Sequence, residues 1–254
     1  MLELAKIFFI NMKKDHERRE LLEASLREHF RGVPFERIEA VTPETMWEHE
    51  AFFKGRLCDR LKPIDGVYPL PGTICCNLSH YQALRKIESE WRVHQRPDCC
   101  YLLLEDDCVF DGTVYPKIKN TIFPSLPEDW KLVKHSLGKA IQNDRVGDLF
   151  FDVSGARDKN WDYYWGTHFV IYNGRSIAEI IRLMETTLIT DTDGWMRCNI
   201  DGNYSFAQHM HIKQSNLGGS NTNPNYASPR FEDRTNRFRR GSILSRAWDL
   251  LRAA

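Results

Sequence analysis

Apolar residues along this chain fall into two patterns: short runs or alternations with the period of a strand, and stripes recurring every three to four residues as on one helix face. The first run, Leu4-Ala5-Lys6-Ile7-Phe8-Phe9-Ile10, predicts a strand ending near Asn11. Asp15 offers an N-cap for the segment that begins at His16. Leu22, Leu26 and Phe30, with Leu21 beside them, give that segment the stripe of a helix packing back on its strand. Pro34 to Val41 alternates as a second strand, so the opening reads as a βαβ unit. From Thr42 to Pro71 the periodicity degrades, and long irregular segments inside compact domains are usually functional loops. Leu78-Ser79-His80 opens a helix running to Trp91, and Tyr101-Leu102-Leu103-Leu104 is an apolar run short enough for a buried parallel strand. Pro116 to Pro127 reads as a turn-rich connection, Leu132-Val133 as a short strand and Thr167 to Tyr172 as a longer one. Ile177, Ile180, Ile181 and Met184 form the buried stripe of a helix. Phe206 to Gln214 alternates, with Phe206, Met210 and Ile212 on one side and His209, His211 and Lys213 on the other.

These elements predict an α/β domain over residues 1–229, followed by a basic tail, 230–254. The tail holds seven Arg and three acids, with Ile243, Leu244, Trp248 and Leu251 at spacings that a helix brings to one face. It reads equally as a helix docking on the domain or as a peripheral membrane contact.

Charge and cysteine usage narrow the class. Thirty-five basic and 35 acidic residues cancel, so no global field points to nucleic acid or to an anionic membrane, although a small basic face would suffice for the former. No apolar stretch approaches the roughly 20 residues that span a bilayer. Seven cysteines, including the neighbours Cys75-Cys76 and Cys99-Cys100, form neither an even disulfide framework nor a CxxC pattern. Free thiols in a reducing cytoplasm are the expectation, with membrane association on the cytoplasmic face if the tail makes that contact.

The chemistry concentrates where the apolar run ends in Glu105-Asp106-Asp107. At the carboxyl end of a buried strand these carboxylates occupy the edge where open α/β sheets bind ligands. Three packed carboxylates raise one another's pKa unless a cation offsets them. A hard divalent ion, Mg²⁺ or Mn²⁺, shared with a substrate phosphate resolves the repulsion; a solvated acidic junction is the alternative. His209 or His211 could supply a further ligand, which suits Mn²⁺ better than Mg²⁺, and Lys213 on the same side could meet phosphate oxygens. Ser79 at a helix start would cap it and leave backbone N–H groups for an anion. Ser79 and His80 are not a nucleophile and base, because adjacent helical residues point about 100° apart. Arg18 or Arg19, close after the first strand, could reach an anion or stay solvated, and Trp165 beside Gly166 could offer a stacking face or lie in the core.

Gly72-Thr73-Ile74-Cys75-Cys76-Asn77-Leu78-Ser79-His80, followed by Leu104-Glu105-Asp106-Asp107, resembles the paired signature of glycosyltransferase family 25. That family contains bacterial lipooligosaccharide galactosyltransferases and relatives of collagen galactosyltransferases. Phe9-Ile10-Asn11-Met12 with Arg18-Arg19, and Trp165-Gly166-Thr167, agree in order. Cys75 departs from the usual Gly, Asn11-Met12 from Asn-Leu, and the segment after Asp193 is shorter. The resemblance implies a GT-A-like, Rossmann-related mixed sheet flanked by helices, and inverting transfer of galactose or glucose from a UDP-sugar to an acceptor hydroxyl. It implies Mn²⁺ or Mg²⁺ at Glu105 and Asp107 with His211 as third ligand, and donor-site roles for Asn11, Arg18, Ser79, His80, Asp106 and Lys213. Asp106 would contact ribose or a backbone amide. Asp193 would be the general base, with Asp201 its rival, although Asp201-Gly202-Asn203 is ordinary turn chemistry and Asp193, which also precedes a glycine, admits a turn reading as well. The acceptor, whether glycan, lipid-linked or protein hydroxyl, is not legible. The competing classes are a metal-dependent phosphoesterase and a degenerate transferase fold that only binds.

Overall fold

The computed structural model describes residues 2–136, 144–154, 164–206 and 212–214. All of them fall in the first of two compact units, Met1–Leu217. His209, His211 and the tail 230–254 lie outside the described residues. The expected α/β class is present. Elements run β1 (Glu3–Asn11), α1 (His16–His29), β2 (Phe35–Glu39), α2 (Glu50–Phe53), α3 (Pro71–His94), β3 (Cys99–Glu105), β4 (Cys108–Val109), α4 (Val114–Lys117), α5 (Phe123–Ser125), β5 (Leu132–Lys134), β6 (Arg145–Val146), β7 (Phe150–Asp152), β8 (Phe169–Asn173), α6 (Ile177–Thr186), α7 (Thr192–Asn199), β9 (Asn203–Phe206) and β10 (Lys213–Gln214).

An eight-stranded mixed sheet, in the order β2-β1-β3-β8-β5-β9-β7-β6, forms the centre, and β10 pairs separately with β4. β1 lies parallel to both β2 and β3, as the βαβ reading predicts. β8 runs antiparallel to β3 and to β5, and β9 runs parallel to β5. Strand side chains alternate between faces, and here both faces are covered, which explains apolar runs without a polar side. Ile7, Phe9, Cys100, Leu102 and Leu104 pack on the side of Leu22, Leu26 and Phe30 of the α1 region. Phe8, Ile10, Tyr101 and Leu103 pack on the side of Ala83, Leu84 and Ile87 from α3, with Ile177, Ile180, Ile181 and Met184 of α6.

Several local readings need correction. α3 starts at Pro71, which tolerates the first helical position because its missing N–H would be unpaired there anyway. Ser79 is therefore mid-helix and caps nothing. Its hydroxyl donates to the Cys75 carbonyl at 2.7 Å and accepts from the Val41 N–H at 2.8 Å. Pro116 to Pro127 is largely helical, built on Val114, Ile118, Ile122 and Phe123, which the surrounding core buries. Asp15 precedes α1, but its side chain makes no cap hydrogen bond.

The irregular stretch after β2 has its own small core, with Met46, Phe53, Leu57 and Leu61 against Ile74, Cys75 and Leu78 of α3. It is also stapled to the segment after α6: Ile189 donates to the Arg56 carbonyl and Cys58 to the Ile189 carbonyl, while the Arg56 guanidinium donates to the carbonyls of Met184 and Thr187. Among the described residues no helix is long and apolar enough to cross a membrane.

Candidate functional site

Parallel pairing sets the site. Register between β1 and β3 places Ile10 beside Glu105, so Asn11 and the three carboxylates leave the sheet at one edge. β8 enters at the same edge, with Phe169 beside Leu104, and β5 ends there, with Lys134 beside Val170. Residues 164–168, which precede β8, therefore lie across the ends of the central strands.

Two polar networks separate the carboxylates into different roles. In the first, Asp106 accepts from Asn11 Nδ2 at 2.8 Å and pairs with Arg18 at 3.2 Å. Asn11 also donates to the Asp15 carbonyl at 3.0 Å and accepts from Arg37 Nε at 2.8 Å, so its amide is taken up by protein partners. Asn11 and Arg18 are buried. Burial pushes the Asp106 carboxyl above its ordinary value, against the opposing pull of Asn11 and Arg18. Asp106 thus contacts two side chains of the chain itself, where a backbone amide or a ribose was expected, and joins β1, α1 and the turn after β3.

In the second network, Glu105 Oε1 lies 3.1 Å from His80 Nε2 and accepts from the Thr167 hydroxyl. Burial disfavours the Glu105 charge, but these two hydrogen bonds and the neighbouring imidazoles outweigh it and hold the carboxyl below its usual value. Oε2 of Glu105 takes no hydrogen bond among the described residues. His80 comes from α3, one helical turn beyond Cys76, so both project towards the end of β3. Asp107 is half-buried in the turn between β3 and β4. β10 pairs Lys213 with Val109, which brings that exposed lysine beside the strand leaving the acidic turn.

Asp193 joins this edge through the segment before β8. Its Oδ2 accepts from the Gly166 N–H at 3.0 Å and its Oδ1 from the Gly194 N–H at 2.9 Å. Gly166 has φ +102°, a conformation that favours glycine, and its neighbour Thr167 is the donor to Glu105. Two adjacent residues therefore tie Asp193 to Glu105. A simple turn at Asp193-Gly194 is ruled out: Asp191 caps α7 by accepting from the Gly194 N–H at 3.0 Å, and Asp193 sits in the first turn. Asp201 is exposed and precedes β9, whose Asn203 pairs with Leu132 at the start of β5. β5 and β9 run in the direction of β3, so Asp201 lies at the opposite edge of the sheet from Glu105. His211, the expected third ligand, lies outside the described residues.

Beneath the strand ends lie groups that patterning did not single out. Lys134 is fully buried and donates to the Tyr164 carbonyl at 2.8 Å and towards the Gly166 carbonyl at 3.4 Å, holding the segment that bridges Glu105 and Asp193. Burial lowers its pKa to about 8, although the Asp193 charge pulls the other way. His168 Nε2 lies 3.0 Å from His135 Nδ1, and burial lowers the His168 pKa to about 4. The available signal was a lysine and two histidines at the ends of otherwise apolar strands, where an unpaired polar group is costly.

Residues 4–140, more than half of the 254-residue chain, match the profile of glycosyltransferase family 25, described as an LPS biosynthesis protein. No curated protein sequence matches the chain. Among solved structures, a glycosyltransferase involved in glycosylation of the major capsid of PBCV-1 is similar at 14% identity and a TM-score of 0.32, over 71% of this chain and 64% of that one. The galactosyltransferase LgtC in complex with donor and acceptor sugar analogues is similar at 11% identity and a TM-score of 0.43, over 95% of this chain and 99% of that one. Likenesses this remote carry no argument about chemistry.

Proposed function

Because the chain belongs to glycosyltransferase family 25, we propose that it moves a hexose, galactose or glucose, from a UDP-sugar to an acceptor hydroxyl with inversion, and that a glycan of lipopolysaccharide type carries that hydroxyl. The observation that carries the reading is the pair Glu105 and Asp193, two carboxylates in different settings held by the adjacent residues Thr167 and Gly166.

Glu105 and Asp107 fit a hard divalent ion, Mn²⁺ or Mg²⁺. Glu105 stays ionised, its Oε1 is oriented by His80 and Thr167, and its Oε2 is left without a hydrogen bond among the described residues. When bound, such an ion neutralises the charge that develops on a departing diphosphate. Lys213, beside the acidic turn, adds a cation to the same end. Arg18 and Asn11 support the turn from beneath through Asp106. Opposite the leaving group, Asp193 takes the proton of the attacking hydroxyl; its backbone donors fix both oxygens and leave each a lone pair for that proton. Asp201, at the other edge of the sheet, has no part in this arrangement. Seven free thiols suit a reducing compartment such as the cytoplasm.

A donor screen tests the reading without knowledge of the acceptor. UDP with Mn²⁺ should raise the melting temperature, because a ligand bound only by the folded chain stabilises it, and slow hydrolysis of one UDP-hexose should appear and stop with EDTA. No thermal shift with any nucleotide at millimolar concentration, together with no hydrolysis, would overturn it.

A further inference from the structure

Cys76, His80 and Glu105 each bring one ligand atom to a common point, these atoms all lying within 4.8 Å of one another, and no other His, Cys, Asp and Glu grouping among the described residues does so. The arrangement follows from the fold. Cys76 and His80 are four apart on α3 and share a helix face, and Glu105 ends the strand under it. The His80 ring is 1% exposed, its Nε2 faces Glu105, and its Nδ1 has no hydrogen-bond partner among the described residues. Cys76 is half-buried, and its sulfur accepts from the Thr192 hydroxyl at 3.5 Å, a contact that also suits a thiolate.

From this geometry we infer that the chain has a site for a thiophilic divalent ion, Zn²⁺ in the first instance, with Cys76, His80 and Glu105 as ligands. A sulfur, a nitrogen and an oxygen are borderline-soft donors that suit Zn²⁺ far better than Mg²⁺ or Mn²⁺. In a tetrahedral zinc site the nitrogen to oxygen edge is about 3.4 Å and the sulfur edges about 3.6 Å, as the usual bond lengths require. The observed 3.1 Å between His80 and Glu105 is close to that edge, and all three ligand atoms lie within 4.8 Å of one another. A cysteine without a bound cation keeps its proton at neutral pH, so the free site holds a thiol. Binding therefore exchanges the sulfur-bound proton for the ion, and one proton per ion passes to the buffer. Three protein ligands leave a fourth position open.

The site has a consequence that rests on the transferase reading. An ion held there draws on Glu105, the carboxylate proposed for the hard ion, so Zn²⁺ inhibits transfer. Occupancy itself does not depend on that reading, and its test needs no substrate. The metal-free full chain, kept reduced with a phosphine, is titrated with Co²⁺ as a spectroscopic probe. The expected result is a thiolate-to-cobalt charge-transfer band that saturates at a single equivalent and is displaced by Zn²⁺. Cys76→Ser should lose the band and weaken Zn²⁺ binding, measured by calorimetry, by about 100-fold or more, at or beyond the range seen for lost supporting groups. Cys198→Ser should keep both. Absence of the band in the wild-type chain, or an equal band in Cys76→Ser, overturns the site, and the first outcome does so whether or not a variant folds. If donor hydrolysis is found, Cys76→Ser should retain it with Mn²⁺ and lose sensitivity to Zn²⁺. A cobalt band with neither a nucleotide-induced thermal shift nor donor hydrolysis would leave the metal site standing and remove the transferase reading.

Discussion

Replacing Asp106 by Asn tests whether this carboxylate supports the turn, as proposed, or binds the donor. The side chains of Arg18 and Asp106 are only 9% and 10% exposed, and this pair helps to hold the charge of Arg18 out of water. In the Asp106→Asn protein the new amide oxygen would still accept from Asn11 Nδ2, but the guanidinium would be left without this counter-charge. Removing one partner of a buried pair typically costs about 3–5 kcal/mol. Burial already pushes the Asp106 carboxyl upward, so desolvation offsets part of the pairing, and a smaller cost, about 2–4 kcal/mol, is expected here. For a chain of this size that corresponds to a fall in Tm of about 4–16 °C. Arg18→Met should cost less at acid pH than at pH 8, because Asp106 without its guanidinium can neutralise itself by taking a proton, whereas Arg18 without its carboxylate cannot lose one. The double variant should recover part of the loss, giving a coupling energy of about 1–3 kcal/mol. Thermal and urea unfolding of the four proteins, with UDP and Mn²⁺ affinity in parallel, supply the numbers. An Asp106→Asn protein with unchanged Tm and abolished nucleotide binding would refute the reasoning and move Asp106 into the donor site.

Asp107→Asn should leave Tm within about 1 °C and largely abolish Mn²⁺-dependent turnover, since leaving-group stabilisation is worth several kcal/mol; undiminished turnover counts against the ion assignment. Asp193→Asn should slow the chemical step about 10²- to 10⁴-fold in single-turnover assays with little change in UDP affinity, while Asp201→Asn should do neither; a chemical defect confined to the Asp201 variant would reverse the roles. His168, held neutral by burial at about 4 rather than 6.5, favours the native state above pH 6.5, and that contribution is lost as pH falls from 6.5 towards 4 because only the unfolded chain takes up the proton. Its full size is about 3 kcal/mol, so His168→Gln should flatten the decline of Tm over that window; identical Tm profiles for the two proteins would show that this histidine is not the one responsible.

Period-two and period-3.6 patterning sufficed for the βαβ opening, the acidic end of β3 and the buried stripe of α6, because these elements bury faces that their own sequence displays. The order of the Gly72 to His80, Glu105 to Asp107 and Trp165 to Thr167 patches likewise pointed to the family before any coordinates. Local chemistry misled where tertiary contacts overrode it. Ser79 looks like a cap, yet Cys75, Leu78 and their apolar partners make the preceding residues worth burying as helix, so α3 starts eight residues earlier, at Pro71. Asp193 and Asp201 are both followed by glycine, and apart from the family resemblance no local feature tells them apart. Only strand direction separates them, since β5 and β9 run with β3 and place Asp201 at the far edge, while α7 and the backbone of Gly166 bring Asp193 to the near one. The partners of Glu105 and Asp106 were equally invisible, because adjacent residues leaving a strand point to opposite sides and each side's partners come from distant segments: His80 and Thr167 for Glu105, Asn11 and Arg18 for Asp106. A chain's own pattern determines which faces it buries. Which polar groups meet at a sheet edge is decided by the pairing order and direction of strands far apart in sequence, and that information exists only in the folded structure.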